Sequence, residues 1–192
     1  MILGLTGGFG CGKSTAARMF ERLGFRSLDS DALVREHVYA RPEVRAALRA
    51  RFGPEAILPD GTINRVHVGA IVFADAAQRL WLEELAHPPL FEIWRERLAT
   101  DPGGQWLIEV PLLFEKHLEN WFDFTICVAC SPAQQLARLE QRGMERALAE
   151  RRISTQLPLG RKIELSHYVL LNDGSLGFLE QQVAHLVREL SA

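Results

Sequence analysis

Short apolar runs alternate with longer amphipathic stretches along most of the chain. Runs at residues 2–6, 25–28, 106–110, 124–130 and 168–171 have the length and composition of strands. The stretches between them carry apolar residues at helical spacing, and the first one ends at a glycine that favours a helix C-terminus. Strands that alternate with helices predict an α/β fold with a five-stranded parallel sheet and right-handed crossovers.

The segment from residue 40 to 102 has a different pattern, because it contains no strand-like run. Helical periodicity predicts helices at about 42–52, 64–73 and 76–99, with a turn at 59–62. The pair Pro88-Pro89 predicts a break or restart in the third of these helices. A long helical insertion between strands is typical of a subdomain that covers a substrate.

The second half of the chain returns to the alternating pattern. Ser131-Pro132 predicts the start of a helix, and arginine-rich helices follow to about Gln156. Residues 157–160 predict a turn, and apolar residues from Leu176 to Leu190 predict a final amphipathic helix. After the second predicted strand, Asp29 or Ser30 is expected to cap a helix that runs to about residue 37.

Composition excludes several classes of protein. The 192 residues carry a net charge of −2, so the total indicates no basic surface for nucleic acid. No apolar run approaches about 18 residues, which predicts no membrane span. The N-terminus starts with a strand-like run and has no basic or long apolar leader, so we expect a cytoplasmic protein.

Three cysteines are present, at positions 11, 127 and 130. An odd number in a chain of this length does not indicate a disulfide framework. Cys127 and Cys130 have CxxC spacing, but no second pair or histidine pair accompanies them. Two small buried apolar side chains are therefore favoured over a zinc or redox site.

One motif carries most of the chemical information. Residues 7–14 read GGFGCGKS and fit the phosphate-loop pattern GxxxxGK[ST] between a predicted strand and a predicted helix. Its glycines permit positive φ and allow backbone N–H groups to converge on phosphate oxygens. Lys13 can bridge the β- and γ-phosphates of a triphosphate, and the Ser14 hydroxyl can bind Mg²⁺. The sequence thus predicts a nucleotide site.

The motif alone does not separate kinases, GTPases and mechanical ATPases. The chain has no Asn-Lys-x-Asp sequence for guanine. A kinase is favoured by the short chain, the helical insertion and the late arginine-rich segment, which has the character of a lid that excludes water. ATP is the expected co-substrate and Mg²⁺ the expected cofactor.

Several polar residues follow the predicted strands, where ligands bind in open α/β sheets. Asp29 and Asp31 are candidates for a proton acceptor or a magnesium-side acid, with helix capping as the alternative. Glu109 suits a metal-side acid and a surface cap equally. Arg138 and Arg142 lie four residues apart and suit an anion or a solvated helix face, and Arg146 extends the same surface. For His87, a structural role is favoured before any resemblance is considered.

Taken together, these residues resemble the dephospho-coenzyme A kinase family in order over nearly the whole chain. The matching segments are Leu5–Thr15, Asp29-Ser30-Asp31 with Arg35, Phe52-Gly53, Asp60-Gly61, His87-Pro88, Val110–Glu115, Arg138 with Arg142, Gln156, and Asn172-Asp173-Gly174. The phosphate loop is generic, whereas the D-x-D, HP and VPLLFE blocks together are specific.

The resemblance implies transfer of the ATP γ-phosphate to the ribose 3′-hydroxyl of dephospho-CoA. It implies Asp31 as general base, aided by Lys13 and Arg142, with Ser14 and Asp29 on the magnesium side. The ATP-binding residues that it implies are Gly7, Gly8, Gly10, Cys11, Gly12, Lys13, Ser14, Thr15, Arg138, Arg142 and Asn172. The acceptor-binding residues that it implies are Asp31, Arg35, His87 and Leu112.

The same resemblance implies three regions and a set of partners. Residues 1–39, 103–130 and 163–192 are expected to form the nucleotide-binding core, 40–102 the acceptor subdomain and 131–162 the lid. The expected partners are ATP and dephospho-CoA, without nucleic acid or membrane, in a monomer or weak homo-oligomer. One departure is that Ser166-His167 replaces the Ala-Asp pair usual before the last strand, so His167 receives no role.

Two other hypotheses remain open on the sequence. The first is a different small-molecule kinase, for a nucleoside, nucleotide or shikimate-like acceptor. The second is a nucleotide-dependent binding or regulatory module that transfers no phosphate and uses the lid arginines for a protein or RNA partner. A panel of acceptors separates the first from the dephospho-CoA reaction, and acceptor-independent ATP hydrolysis identifies the second.

Overall fold

The computed structural model describes residues 1–191. Its five strands form one parallel sheet in the order β2-β3-β1-β4-β5. The strands are β1 (Ile2–Gly7), β2 (Arg26–Asp29), β3 (Trp106–Glu109), β4 (Phe124–Ala129) and β5 (Tyr168–Leu171). The predicted α/β class with five parallel strands is confirmed.

Helices connect the strands and extend the chain between β2 and β3. They are α1 (Lys13–Arg22), α2 (Ser30–Leu33), α3 (Pro42–Phe52), α4 (Arg65–Ala74), α5 (Ala76–Ala99), α6 (Pro132–Gln141), α7 (Arg146–Ser154), α8 (Leu159–Leu165) and α9 (Leu176–Leu190). A π-helical turn, Val34–Val38, continues α2, and short 3₁₀ turns lie at Pro54–Ala56 and Glu119–Trp121.

The main core lies between the sheet and two helices. Leu3 and Leu5 of the central strand are fully buried against the apolar faces of α1 and α9, which include Phe20 and Val183. Helix α8 contacts β1 and β4. Because β1 has a neighbouring strand on each side, its backbone hydrogen-bonding groups are used within the sheet. The residue that ends β1 is therefore firmly positioned.

The chain divides into two compact units. Residues 1–29 and 103–191 form the first unit, which contains the sheet, and Ser30–Pro102 form the second. The second unit contains α2 to α5, and its buried residues include Val44, Leu48 and Trp94. No helix within residues 1–191 is long and apolar enough to cross a membrane.

The predicted break at Pro88-Pro89 is wrong, because α5 runs through both prolines to Ala99. Each proline removes one helical N–H donor and costs about 3 kcal/mol in a helix interior. Apolar residues are buried on both sides of the pair, with Leu82 before it and Leu90 after it. Their burial against the rest of the unit outweighs the local preference.

The predicted turn at 157–160 is also partly wrong. Pro158 immediately precedes α8, and Leu159 and Gly160 already belong to that helix. The proline has the extended conformation of a residue before a helix, and it stops α7 from continuing without preventing a new helix. The sequence signal at Pro158 therefore marks a boundary between two helices.

His167 joins the beginnings of two strands. The ring Nδ1 of His167 accepts a hydrogen bond from the Thr125 backbone N–H at 3.1 Å. The His167 backbone N–H in turn donates to Thr125 Oγ1 at 3.3 Å. Because a backbone nitrogen only donates, Nδ1 of His167 carries no proton in this arrangement. The residue thus links β4 to β5, which gives a structural reason for its presence.

Candidate active site

The glycine-rich loop leads from the central strand directly into α1. Gly7, Gly10 and Gly12 have φ values of 143°, 86° and 96°, which residues with a side chain rarely adopt. Gly12 is the residue before α1, so the first N–H groups of that helix point into the loop. This is the anion-binding arrangement that the sequence predicted.

The surroundings leave no room for side chains at two of these glycines. A Cβ atom on Gly7 would lie 2.2 Å from the Val128 carbonyl oxygen, and one on Gly12 would lie 2.3 Å from Asn172 Nδ2. At Gly7 the obstacle is the backbone of β4, which cannot rotate away. The loop is therefore shaped by close backbone approach as well as by φ.

Lys13 is largely buried beneath the loop. Its ammonium donates to the carbonyl oxygens of Gly7 at 3.3 Å and Gly8 at 3.2 Å. These two hydrogen bonds hold the ammonium against the loop backbone and offset the cost of burying its charge. A phosphate bound by the loop amides would lie within the field of this ammonium.

Ser14, Asp29 and Glu109 form an acidic site beside the loop. Ser14 Oγ donates to Glu109 Oε1 at 3.1 Å. Glu109 is only 9% exposed, which rules out the alternative that it is a surface cap. The strand register pairs Asp29 of β2 with Glu109 of β3, so both acids lie at the carboxyl edge of the sheet.

These three side chains fit a magnesium ion by the chemistry of their donors. Mg²⁺ prefers hard oxygen ligands and is usually held by one or two carboxylates together with substrate phosphates. Among residues 1–191 no group of three or more histidine, cysteine or acidic side chains is arranged to hold a metal ion unaided. A hydroxyl and two carboxylates beside a phosphate loop match a site that the nucleotide completes.

Asn172 and Arg138 support the loop from behind. Asn172 is 4% exposed, and its Nδ2 donates to the Cys11 carbonyl oxygen at 2.8 Å. Arg138 donates to the carbonyl oxygens of Asn172 at 2.6 Å and Cys11 at 3.4 Å. The charge of Arg138 is thus placed next to the loop, and both of these hydrogen bonds go to backbone oxygens.

The other candidate arginines occupy different surroundings. Arg142 follows α6 and is exposed. Arg146 forms ion pairs with Glu140 at 3.4 Å and Glu150 at 3.1 Å. Arg152 of α7, which the sequence did not single out, lies over the Phe9 ring at 5.7 Å from its centre. A cation–aromatic contact between segments 143 residues apart has no local sequence signal.

Thr15 lines an open groove of about 660 Å³ between α1 and α9. Arg18 and Leu176 also line this groove, and Leu176 is 64% exposed. Arg18 donates to Thr15 Oγ1 at 3.5 Å. Thr15 is the residue after Ser14, so one lining residue of the groove adjoins the phosphate loop in the chain.

A separate pocket of about 290 Å³ lies within the unit of residues 30–102. Its polar lining includes Asp31, Arg35, Tyr39 and Arg65, and its apolar lining includes Phe73. Burial raises the pKa of Tyr39, and the Asp31 carboxylate acts in the same direction against the opposing charge of Arg65. Tyr39 is therefore a protonated donor at neutral pH. The pocket combines cationic, acidic and aromatic groups.

Two other predicted acceptor residues lie elsewhere. His87 is half-buried on α5, where its ring stacks on Phe91 with centres 5.6 Å apart. Leu112 is half-buried in the turn after β3. The Leu112 carbonyl accepts from the Lys116 N–H at 3.1 Å, which closes that turn. The pocket thus brings Asp31 and Arg35 together, whereas His87 and Leu112 are not among its lining residues.

The strand order and the loop between β1 and α1 place the chain in the class of P-loop nucleotide-binding proteins. The sequence profile described as dephospho-CoA kinase matches residues 1–177. The chain therefore belongs to the dephospho-CoA kinase family.

Individual relatives agree with the family assignment. A dephospho-CoA kinase of Synechococcus sp. (strain JA-3-3Ab) is 40% identical and covers 95% of this chain and 89% of its own length. A crystal structure of a Thermus thermophilus protein is 33% identical, with a TM-score of 0.86, and covers 100% of this chain and 98% of its own. A dephospho-CoA kinase structure from Campylobacter jejuni, 22% identical, has a TM-score of 0.72 over 99% of this chain and 96% of its own, and it supports the fold.

Proposed function

We propose that this protein transfers the γ-phosphate of ATP to the ribose 3′-hydroxyl of dephospho-CoA, which gives coenzyme A and ADP. The observation that carries the proposal is the buried Lys13 beneath a loop that admits no side chain at Gly7 or Gly12. The sequence match over residues 1–177 selects the acceptor.

The phosphate loop and its surroundings would hold the triphosphate. Backbone N–H groups between Gly8 and Ser14 bind the β- and γ-phosphate oxygens, and Lys13 neutralises the charge that develops on them. Arg142 is exposed at the end of α6, so its guanidinium is available to a phosphate. We assign the adenosine end of ATP to the groove that Thr15 and Leu176 line.

The pocket of the second unit suits the acceptor. Dephospho-CoA carries a diphosphate next to its ribose, and the guanidiniums of Arg35 and Arg65 are suited to phosphate oxygens. Phe73 offers an aromatic surface for the adenine ring. We assign Asp31 as the base that accepts the proton of the 3′-hydroxyl during transfer, with His87 and Leu112 as further acceptor contacts.

Mg²⁺ would be held by the Ser14 hydroxyl together with the two acids, directly or through water, and when bound it neutralises phosphate charge. The Glu109 carboxylate accepts a hydrogen bond from the Ser14 hydroxyl, with 3.1 Å between the two oxygens, and this bond orients the lone pairs of the Ser14 oxygen. Asp29 adds a second negative charge at the paired position of β2. We therefore add Glu109 to the predicted pair of Ser14 and Asp29.

Glu109→Gln tests this assignment. The amide keeps the shape of the side chain and removes its charge, so the Mg²⁺ concentration for half-maximal activity is expected to rise by about tenfold or more. A magnesium titration of initial rates measures the shift. Glu189→Gln on α9, an exposed side chain, serves as the control. A magnesium dependence equal to that of the control would exclude Glu109 from the metal side.

A coupled assay for ADP tests the function itself. Purified protein is expected to form ADP only when dephospho-CoA is present, and the product should carry its new phosphate on the ribose 3′-oxygen. Shikimate, gluconate and nucleosides are the comparison acceptors and should give no ADP above the background. Equal ADP formation with every acceptor, or with none, would contradict the proposal.

A further inference from the structure

Two cysteine thiols meet behind the phosphate loop. Cys130 Sγ lies 3.3 Å from Cys11 Sγ and donates a hydrogen bond to it. Cys11 is a member of the loop, and Cys130 follows β4 immediately before the segment that starts α6. Both belong to the same apolar cluster, with exposed fractions of 0% and 5%. The two residues are 119 positions apart in the sequence.

The third cysteine does not share this arrangement. Cys127 and Cys130 have CxxC spacing, but Cys127 lies within β4 and Cys130 follows that strand. Cys127 is fully buried outside the cluster that contains the other two. The geometry therefore pairs Cys130 with Cys11 and leaves Cys127 as a thiol of the same chain in a different environment.

Cys11 differs in acidity from the other two thiols, because its hydrogen bond with Cys130, together with burial, raises the pKa of Cys130. The hydrogen bond from Cys130 lowers the pKa of the Cys11 thiol to about 7, helped by the nearby Lys13 charge and opposed by burial. Burial raises the pKa of Cys127 to about 12. Because the thiolate is the reactive form, Cys11 is the thiol of the three that ionises most readily to it.

The backbone around Cys11 permits a short movement toward Cys130. Gly10 and Gly12 flank it, and glycine tolerates changes of φ and ψ that other residues resist. A disulfide needs a sulfur–sulfur distance of about 2.05 Å, so the gap must close by roughly 1.3 Å. The Cys11 carbonyl and N–H both have partners in the present loop, Asn172 and Gly8. Closing the gap therefore disturbs contacts that shape the phosphate site.

We infer that Cys11 and Cys130 form an oxidation site for hydroperoxides, at which an intramolecular disulfide closes the phosphate loop to ATP. The Cys11 thiolate attacks one peroxide oxygen, the O–O bond breaks, and the leaving oxygen departs as water after it takes a proton. The Cys130 thiol then displaces water from the Cys11 sulfenic acid. In total, two thiols lose two electrons and two protons, and one hydrogen peroxide becomes two water molecules. The effect on ATP rests on the proposed function, whereas the disulfide does not.

The test counts thiols after treatment of the full-length protein with hydrogen peroxide without nucleotide. Alkylation after denaturation should label all three cysteines of the untreated protein and one cysteine of the oxidised protein. Dithiothreitol should restore the lost pair, and peptide mapping should find Cys11 linked to Cys130. Equilibrium binding should show ATP affinity reduced by about tenfold or more in the oxidised protein.

Two variants make the assignment specific. In Cys130→Ser the hydroxyl keeps a hydrogen-bond donor beside Cys11 but cannot form the disulfide with it, so dimedone should trap the sulfenic acid on Cys11. Cys127→Ala is the matched control and should form the same disulfide as the unchanged protein. A link through Cys127, or three free thiols after oxidation, would overturn the inference. A Cys11–Cys130 disulfide with unchanged ATP affinity would overturn its effect on the loop. Failure of the reduced protein to bind ATP would instead reject the proposed function and leave the thiol count valid.

Discussion

Asp31→Asn is expected to lower turnover with dephospho-CoA by about 10²–10⁴-fold, the usual cost of removing a general base. The amide cannot accept the proton of the 3′-hydroxyl, although it preserves the size of the side chain. Because the phosphate loop is formed by other residues, the affinity for ATP should remain close to that of the unchanged protein. The coupled ADP assay measures the turnover, and equilibrium binding measures the affinity.

Asp75→Asn is the matched control in the same unit. Asp75 caps α5, and its Oδ1 accepts from the N–H groups of Ala77 at 2.8 Å and Gln78 at 3.3 Å. Asparagine caps helices about as well as aspartate, so stability and turnover should both be preserved. Near-normal turnover of Asp31→Asn would remove Asp31 as the base. An equal loss in both variants would point to a change in the unit as a whole.

Lys162→Met is expected to lower the free energy of unfolding by about 3–5 kcal/mol, because it leaves a largely buried carboxylate without its cation. Lys162 is fully buried, and its Nζ lies 2.9 Å from Glu115 Oε1 and 2.7 Å from the Pro111 carbonyl oxygen. The same Glu115 oxygen accepts from the Leu157 N–H at 2.8 Å. The ion pair therefore joins α8 to the turn that follows β3.

The neighbouring residue supplies the control for this prediction. Arg161 pairs with Glu164 on the exposed side of α8, where both side chains are 59% exposed. Arg161→Ala should change the free energy of unfolding by no more than about 1 kcal/mol, as is usual for surface pairs. Urea unfolding measures both variants. Adding Glu115→Gln to Lys162→Met should recover part of the loss, and no recovery would show that the lost packing matters more than the unpaired charge.

The elements that the sequence predicted well depend on local patterns. Tyr168–Leu171 is the fifth strand with the predicted bounds, because its four residues form a short continuous apolar run. The phosphate loop was equally predictable from the sequence, since its glycines, lysine and serine are adjacent in the chain. Helix α6 begins at Pro132 after Ser131, as the capping pattern predicted.

The features that the sequence did not resolve depend on tertiary contacts. The two prolines within α5 predict a helix break from the sequence alone. Only the burial of apolar residues before and after them explains why the helix continues. Glu109 ends an apolar strand in the sequence, and only the strand order shows that it lies beside β1 and next to Ser14. The contact between Cys11 and Cys130 likewise cannot be predicted without the strand order. The predicted roles of Asp31, Arg35 and the lid arginines stay predictions that the proposed variants test.

The position of β1 in the middle of the sheet has a consequence for local unfolding. Edge strands such as β2 and β5 are expected to exchange their amide hydrogens through small openings, whereas a central strand opens only with most of its neighbours. The loop that follows β1 is anchored to the part of the sheet that separates last. Transient fraying at the β2 edge therefore leaves the backbone of the phosphate loop in place, whereas fraying at the β5 edge reaches Asn172, which donates to the Cys11 carbonyl.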